Sequence, residues 1–383
     1  MEPTRRVLAI HFTKPSNSEA NVVSNLLWHL DAGIGVKLLV NRAGNDDRAS
    51  HLARLPVANS ISLQGLDVGL PIDPQKPRSF AARVWSRLEH VARRGAAVRA
   101  AEAYRPDVVY TSQQRYDCRV GELISRRLGV PHIVHLHYTP GPWLGERALA
   151  RLRSCHRVLA ISEFVGRLAA RAGVDRARLV VLPNTIDLPR EAPPGGQRSR
   201  TGDSVTVGQI GRMAPGKGFD DSLRAFAKLK ERQPSARFVL VGDGSERREL
   251  ERLADRLGLK AAVEFSGWQA DATRRLSSFD IFLSPSRNEP FGLAALEASA
   301  AGVPVVAYDE GGTAEIVVHR ETGILARPGD VDGLAAALIE LSADAALRES
   351  FGKSGRHRAA TVFDPKRAAR VFSDVLRDAA RSR

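Results

Sequence analysis

Cysteine is nearly missing from this chain: Cys118 and Cys155 are the only two in 383 residues. Two thiols build no disulfide framework, and neither stands at a zinc-binding spacing, so both read as free thiols of a reducing cytoplasm. Long apolar runs are also lacking. None approaches the roughly 18 residues that span a bilayer. The run 7–10 behind the charged opening is too short for a signal peptide and reads as a buried first strand. Acidic excess is absent too, with 57 Lys+Arg against 43 Asp+Glu.

The surplus of cations is unevenly placed. Residues 1–186 hold 27 Lys+Arg against 15 Asp+Glu, whereas 187–383 hold 30 against 28. The positive field therefore belongs to the first half, chiefly 78–105 and 147–178. It favours a phosphorylated, acidic or membrane-lipid partner. No groove-reading motif accompanies the charge, so nucleic acid is not expected. Arginine outnumbers lysine 48 to 9, a ratio that compositional bias alone could also raise. Segment 79–103 has an amphipathic pattern, with Phe80, Val84, Trp85, Leu88 and Val91 against Arg83, Arg87, Arg94 and Arg99. A core-packed helix with an arginine face is preferred there over docking on a membrane surface.

A chain of this length splits into two domains by default. Short β-branched runs alternate with helical patterns in both halves, which predicts parallel sheets covered by helices. Strands are expected at 7–12, 36–40, 108–111, 133–137, 158–161 and 179–182, then at 205–210, 238–241, 263–265, 281–283 and 305–307. Helices are expected at 19–30, 79–103, 117–128 and 163–172, then at 220–231, 246–257, 270–278, 293–301 and 331–341. The stretch 189–203 is rich in Pro, Gly and polar residues and reads as a linker. The expected division is 1–188, the linker 189–203, 204–364, and a final helix in 365–383 returning to the first domain.

Two segments carry chemistry. In the first, a strand runs into Gly211-Arg-Met-Ala-Pro-Gly-Lys-Gly218 and then a helix. Such a junction offers free N–H groups and a positive dipole end to an anion. Arg212 and Lys217 add two full charges, and a guanidinium can grip phosphate through two hydrogen bonds. The segment matches GxxxxGK, but Gly218 stands where a P-loop needs Ser or Thr for magnesium, so diphosphate binding without a metal is the preferred reading. In the second segment, Ser284-Pro-Ser-Arg-Asn-Glu-Pro-Phe-Gly-Leu-Ala-Ala-Leu-Glu297, Glu289 lies in a loop and Glu297 in the following helix. The two carboxylates suit separate contacts with hydroxyls along an extended ligand. A glycosidase using them as acid and base would leave the basic turn without a purpose. In the first half, Pro131-His-Ile-Val-His-Leu-His-Tyr138 ends a strand in three histidines, with no carboxylate or thiolate placed to complete a metal site.

Gly211-Arg-Met with Lys217-Gly218, Val241-Gly-Asp-Gly244, the pair Glu289 and Glu297 around Pro290-Phe-Gly292, and Gly302-Val-Pro-Val-Val306 with Gly311-Gly312 together resemble retaining glycosyltransferases of group 1. The likeness is strongest over 204–330. It implies an α/β fold of the GT-B type, two Rossmann-like doubly wound domains facing each other across a cleft, with acceptor binding in the first domain and nucleotide-sugar binding in the second. Gly211, Arg212 and Lys217 would then hold the donor diphosphate. Glu289 would hold the transferred sugar, with backbone amides of Phe291, Gly292 and Leu293 nearby, and Glu297 the ribose. His137 would face the donor sugar, which makes His137, Arg212, Lys217 and Glu289 the expected catalytic set.

Three positions depart from the family pattern. Ser16, Asn17 and Ser18 stand where a Gly-Gly loop is common on the acceptor side, Tyr138 where Asp follows the histidine, and Thr185 where Gly is usual. The resemblance implies no cofactor and no metal, only a nucleotide-sugar co-substrate, with UDP-sugar as the default. The acceptor would be a small molecule, a glycan or a lipid. The expected location is the cytoplasm, with peripheral contact of the basic first half at the inner membrane face. An NDP-sugar epimerase, or a non-catalytic nucleotide-sugar-binding protein of the same fold, is the alternative.

Overall fold

The computed structural model describes residues 5–11, 17–41, 61–66, 94–112, 116–186 and 204–382. It divides into two compact units, Met1–Thr185 with Pro365–Arg383, and Ile186–Asp364. The expected linker 189–203 lies outside the described residues, as do 79–93 of the expected amphipathic helix. No helix among the described residues is long and apolar enough to cross a membrane.

In the first unit, among the described residues, seven strands form one parallel sheet: β1 Arg5–His11, β2 Ile34–Asn41, β3 Ile61–Leu66, β4 Val108–Thr111, β5 His132–Leu136, β6 Arg157–Ala160 and β7 Leu179–Val181. Their order is β3-β2-β1-β4-β5-β6-β7. Val7, Leu8, Ala9 and Ile10 are all buried. That run does not alternate because helices cover both faces of a parallel sheet. The helical stretch 94–104 buries Ala97, Ala100 and Ala101 in the cluster of Leu8, Val109 and Ile124. The described part of the arginine-bearing segment is thus packed on the core.

The last helix, Pro365–Arg381, belongs to this unit. Phe372 is fully buried, its ring 4.9 Å from that of Tyr110. Arg377 pairs with Asp31 at 2.6 Å and Asp378 with Arg157 at 2.9 Å, fixing the helix along its polar edge.

The second unit holds, among the described residues, a six-stranded parallel sheet: β8 Thr206–Ile210, β9 Arg237–Val241, β10 Val263–Gly267, β11 Ile281–Ser284, β12 Val305–Tyr308 and β13 Gly323–Ala326. Its order is β10-β9-β8-β11-β12-β13, so the winding reverses between β8 and β11. One face packs Phe219, Phe226, Phe238 and Leu338, the other Phe279, Phe282 and Ala298.

Among the described residues, β3, β13 and the helices Glu146–Ser154 and Ala345–Val362 escaped the sequence pattern, as did the single helical turn Thr313–Ile316 and the 3-10 turns Pro142–Leu144 and Arg176–Arg178. The first two are short and contain glycine, and the two helices alternate charged and small residues without a wide apolar stripe. The expected helix 270–278 is a 3-10 turn over Ala272–Ser278.

Candidate functional site

The winding of the second sheet reverses between β8 and β11, and both chemistry-bearing segments follow those strands. Open α/β sheets bind ligands at the carboxyl ends of strands flanking such a reversal. After β8 the chain turns through Gly211–Gly218. Gly211 N–H donates to Val241 O and Met213 N–H to Asp243 O, both at 3.0 Å, so the turn is fixed upon the loop after β9. Gly218 has φ +69° and precedes the helix Phe219–Arg232. A Cβ there would lie 2.1 Å from Pro285 O, so only glycine fits. The helix start leaves its first N–H groups without intrahelical acceptors.

The two expected phosphate cations differ in state. Arg212 is exposed and has no ion-pair partner among the described residues. Lys217 is half-buried, and its Nζ donates to Glu289 Oε2 at 2.6 Å. Nothing in the spacing of Lys217 and Glu289, 72 positions apart, announces this pair.

The loop carrying Glu289 is held from both sides. Arg287 N–H donates to Gly216 O at 2.8 Å, joining it to the phosphate turn. On the other side Glu289 O accepts from Gly312 N–H at 2.8 Å, and Asn288 N–H donates to Glu310 Oε1 at 3.1 Å. Gly292, with φ +101°, leads into the helix Leu293–Ala300, and a Cβ on it would meet Thr313 Oγ1 at 2.5 Å. The Phe291 side chain is buried edge-on to Phe363, so only its backbone is available to a ligand. Glu297, within that helix, is pushed up to about 7 by burial and by the Asp271 carboxylate. Gly211, Arg212, Lys217, Glu289, Phe291, Gly292, Leu293 and Glu297 thus all belong to one unit, and Lys217 and Glu289 touch.

Three residues that their spacing gave no reason to single out join the same loops. Asp221 Oδ2 accepts from the Tyr308 hydroxyl at 2.8 Å and from Arg287 Nη2 at 2.9 Å. Burial and the Asp221 carboxylate push the Tyr308 phenol up, so its hydroxyl remains a donor. Adjacent acids at a helix start were the only signal in the sequence.

In the first unit His137 follows β5 and is buried, its ring 4.3 Å from that of His135. Neither ring nitrogen of His137 has a hydrogen-bond partner among the described residues. Burial, with the neighbouring His135 and His11, lowers its pKa well below the ordinary histidine value, so the imidazole is neutral. His135 Nδ1 shares a hydrogen bond with the Tyr110 hydroxyl at 2.9 Å, and His11 Nδ1 with Ser112 Oγ at 2.8 Å. No group of three or more His, Cys, Asp or Glu among the described residues could hold a metal ion. Ser16 lies outside the described residues. Asn17 and Ser18 open the helix Asn17–Trp28, but their side chains lie outside the description. Thr185 is buried, and Tyr138 packs edge-on against Trp143.

The family model described as glycosyl transferases group 1 matches residues 197–358, and the one described as glycosyltransferase family 4 matches 20–190. An exopolysaccharide phosphotransferase of Streptomyces coelicolor is 32% identical over 342 residues, 88% of this chain and 34% of that protein. The chain therefore spans about a third of that relative's length. A GDP-mannose-dependent alpha-(1-6)-phosphatidylinositol monomannoside mannosyltransferase of Mycolicibacterium smegmatis is 33% identical over 255 residues, 61% of this chain and 67% of that one. Among solved structures, HepE of Anabaena in complex with UDP and glucose aligns with a TM-score of 0.77 at 22% identity, covering 98% of this chain and 100% of its own. That likeness establishes the two-domain GT-B fold.

Proposed function

The chain belongs to the group 1 glycosyl transferases, and from that premise we propose that it moves a hexose or N-acetylhexosamine from a nucleotide sugar to an acceptor hydroxyl, forming an α-linkage with retention. The observation that carries this reading is the Lys217–Glu289 contact at the reversal point of the second sheet, made from the same turn that carries the exposed Arg212. One cation and one carboxylate at hydrogen-bond distance suit a ligand whose phosphates and sugar hydroxyls are joined by a single bond.

Arg212 and Lys217 neutralise the diphosphate and the charge that grows on it as it departs. Glu289 exchanges its lysine for hydroxyls of the transferred sugar, and Glu297 accepts hydrogen bonds from the ribose. Holding both ends of the donor orients the anomeric carbon, and such positioning supplies much of the rate. His137, kept neutral by burial, presents a ring nitrogen to a sugar hydroxyl. The acceptor oxygen bonds to the anomeric carbon as the bond to the β-phosphate oxygen breaks. That phosphate oxygen takes the acceptor proton on the same face, giving the α-glycoside and the nucleoside diphosphate. The cations do the work a divalent metal does elsewhere, so turnover needs no added metal.

UDP-sugar is the proposed donor, supported by the fold shared with HepE and its bound UDP. A GDP-sugar is the second reading, favoured by the likeness to the GDP-mannose-dependent enzyme. The acceptor is proposed to be an anionic glycan or lipid met by the basic first unit, on a cytoplasmic protein touching the inner membrane face. A thermal-shift screen of UDP-, GDP- and ADP-sugars tests the reading. One donor should raise the melting temperature, and Lys217→Ala and Glu297→Ala should each abolish the rise. A shift retained in both variants refutes the site. Sugar conversion without any acceptor would favour an epimerase.

A further inference from the structure

One buried carboxylate ties the site loops together and has no role in the steps above. Asp221 is the third residue of the helix Phe219–Arg232 and is 7% exposed. An acid in a first helical turn ordinarily serves the helix dipole alone. This one does more, because a single oxygen, Oδ2, accepts from the Tyr308 hydroxyl at 2.8 Å and from Arg287 Nη2 at 2.9 Å. Tyr308 ends β12 and is fully buried. Arg287 stands two residues before Glu289, and its guanidinium also lies over the Tyr308 ring, 5.9 Å from the centroid. Its backbone N–H reaches Gly216 O, the residue before Lys217.

We propose that Asp221 is a positioning residue which, through Arg287 and Tyr308, sets the distance between the phosphate turn bearing Lys217 and the loop bearing Glu289. The inference rests on the donor-site reading above. When a diphosphate replaces Glu289 at Lys217, the direct link between turn and loop is lost. The Asp221 contacts then keep the loops in register, together with the Arg287–Gly216 hydrogen bond. Positioned charges need no reorganisation on binding, so drift of either loop lowers the value of the second phosphate specifically.

Calorimetric titration with UDP and UMP, and with GDP and GMP, isolates that contribution as the diphosphate-to-monophosphate affinity ratio of the better-bound pair. Asp221→Asn should lower the ratio about tenfold and leave monophosphate affinity within about twofold of wild type. Tyr308→Phe, which keeps the ring in the core, should lower it about threefold, and Arg287→Lys should restore only part of the wild-type ratio. A role confined to fold stability would lower the melting temperature and leave the ratio unchanged. An unchanged ratio in Asp221→Asn, or in Tyr308→Phe should the first variant not fold, overturns the proposal alone. A wild-type protein that binds neither diphosphate better than its monophosphate overturns the donor-site reading and this inference with it.

Discussion

Replacing Glu289 by glutamine should tighten the binding of a free nucleoside diphosphate while weakening transfer from the nucleotide sugar. Lys217 Nζ donates to Glu289 Oε2 at 2.6 Å, with side-chain exposures of 33% and 16%. An incoming phosphate must therefore displace a carboxylate from its cation. Exposed ion pairs are worth roughly 0.2–1 kcal/mol. With one partner largely buried the upper end applies, so removing the competitor contributes about 1 kcal/mol, or roughly fivefold in affinity. Loss of repulsion between the carboxylate and the phosphate acts in the same direction. Glutamine still bonds a sugar hydroxyl, but more weakly than a charged acceptor does, by about 1–2 kcal/mol. Titration calorimetry with UDP and GDP on wild type and Glu289→Gln measures the first effect, and transfer kinetics the second. Diphosphate affinity that stays constant or falls in Glu289→Gln would refute the exchange, because Lys217 would then not be the group the phosphate meets.

Three further outcomes follow from buried groups. The Glu297 carboxyl rises from its ordinary 4.5 to about 7, so its stabilising contribution is complete below about pH 4.5 and lost as pH climbs through about 7. Glu297→Gln should thus gain up to about 3 kcal/mol on wild type above pH 7 and nothing at pH 4; a difference in unfolding free energy that is flat across this range would contradict the burial argument. In the first unit His11 and His132 fall to about 4 and His135 to about 3 through burial. His137 is lowered too. Depressed histidines stabilise above pH 6.5 and cease to as pH drops toward 4, so near pH 5 the four protons that these histidines take up on unfolding should contribute about 5 kcal/mol per pH unit. Unfolding free energy against pH measures this contribution, which His132→Gln should reduce by about a quarter. Phe372→Ala should cost about 3–5 kcal/mol by emptying the space against Tyr110, read by denaturant unfolding; an effect below about 1 kcal/mol would mean that the last helix adds little to its unit.

The sequence already contained the material of the site. The glycine turn 211–218 is legible because its backbone demands are local: a strand end, a residue with positive φ and a helix start all fall within a few positions. Gly292 before the helix Leu293–Ala300 is legible for the same reason. Arg212, Lys217, Glu289 and Glu297 could be nominated from residue type and spacing. Strand periodicity located most of both sheets, and it failed where elements were short or lacked a wide apolar stripe, as in β13 and Ala345–Val362.

What the chain could not disclose in one dimension is which of those groups touch. Lys217 and Glu289 meet across 72 positions, and Asp221 and Tyr308 across 87, because sheet order puts β11 beside β8 and β12 beside β11. Adjacency of that kind arises from packing, and no local period encodes it. The neutral state of His137 and the raised carboxyl of Glu297 share this origin, since desolvation depends on neighbours brought in from elsewhere in the chain. Residue identity nominated the groups. Tertiary packing decided that Lys217 holds Glu289, and that one buried aspartate, Asp221, accepts from both Tyr308 and Arg287.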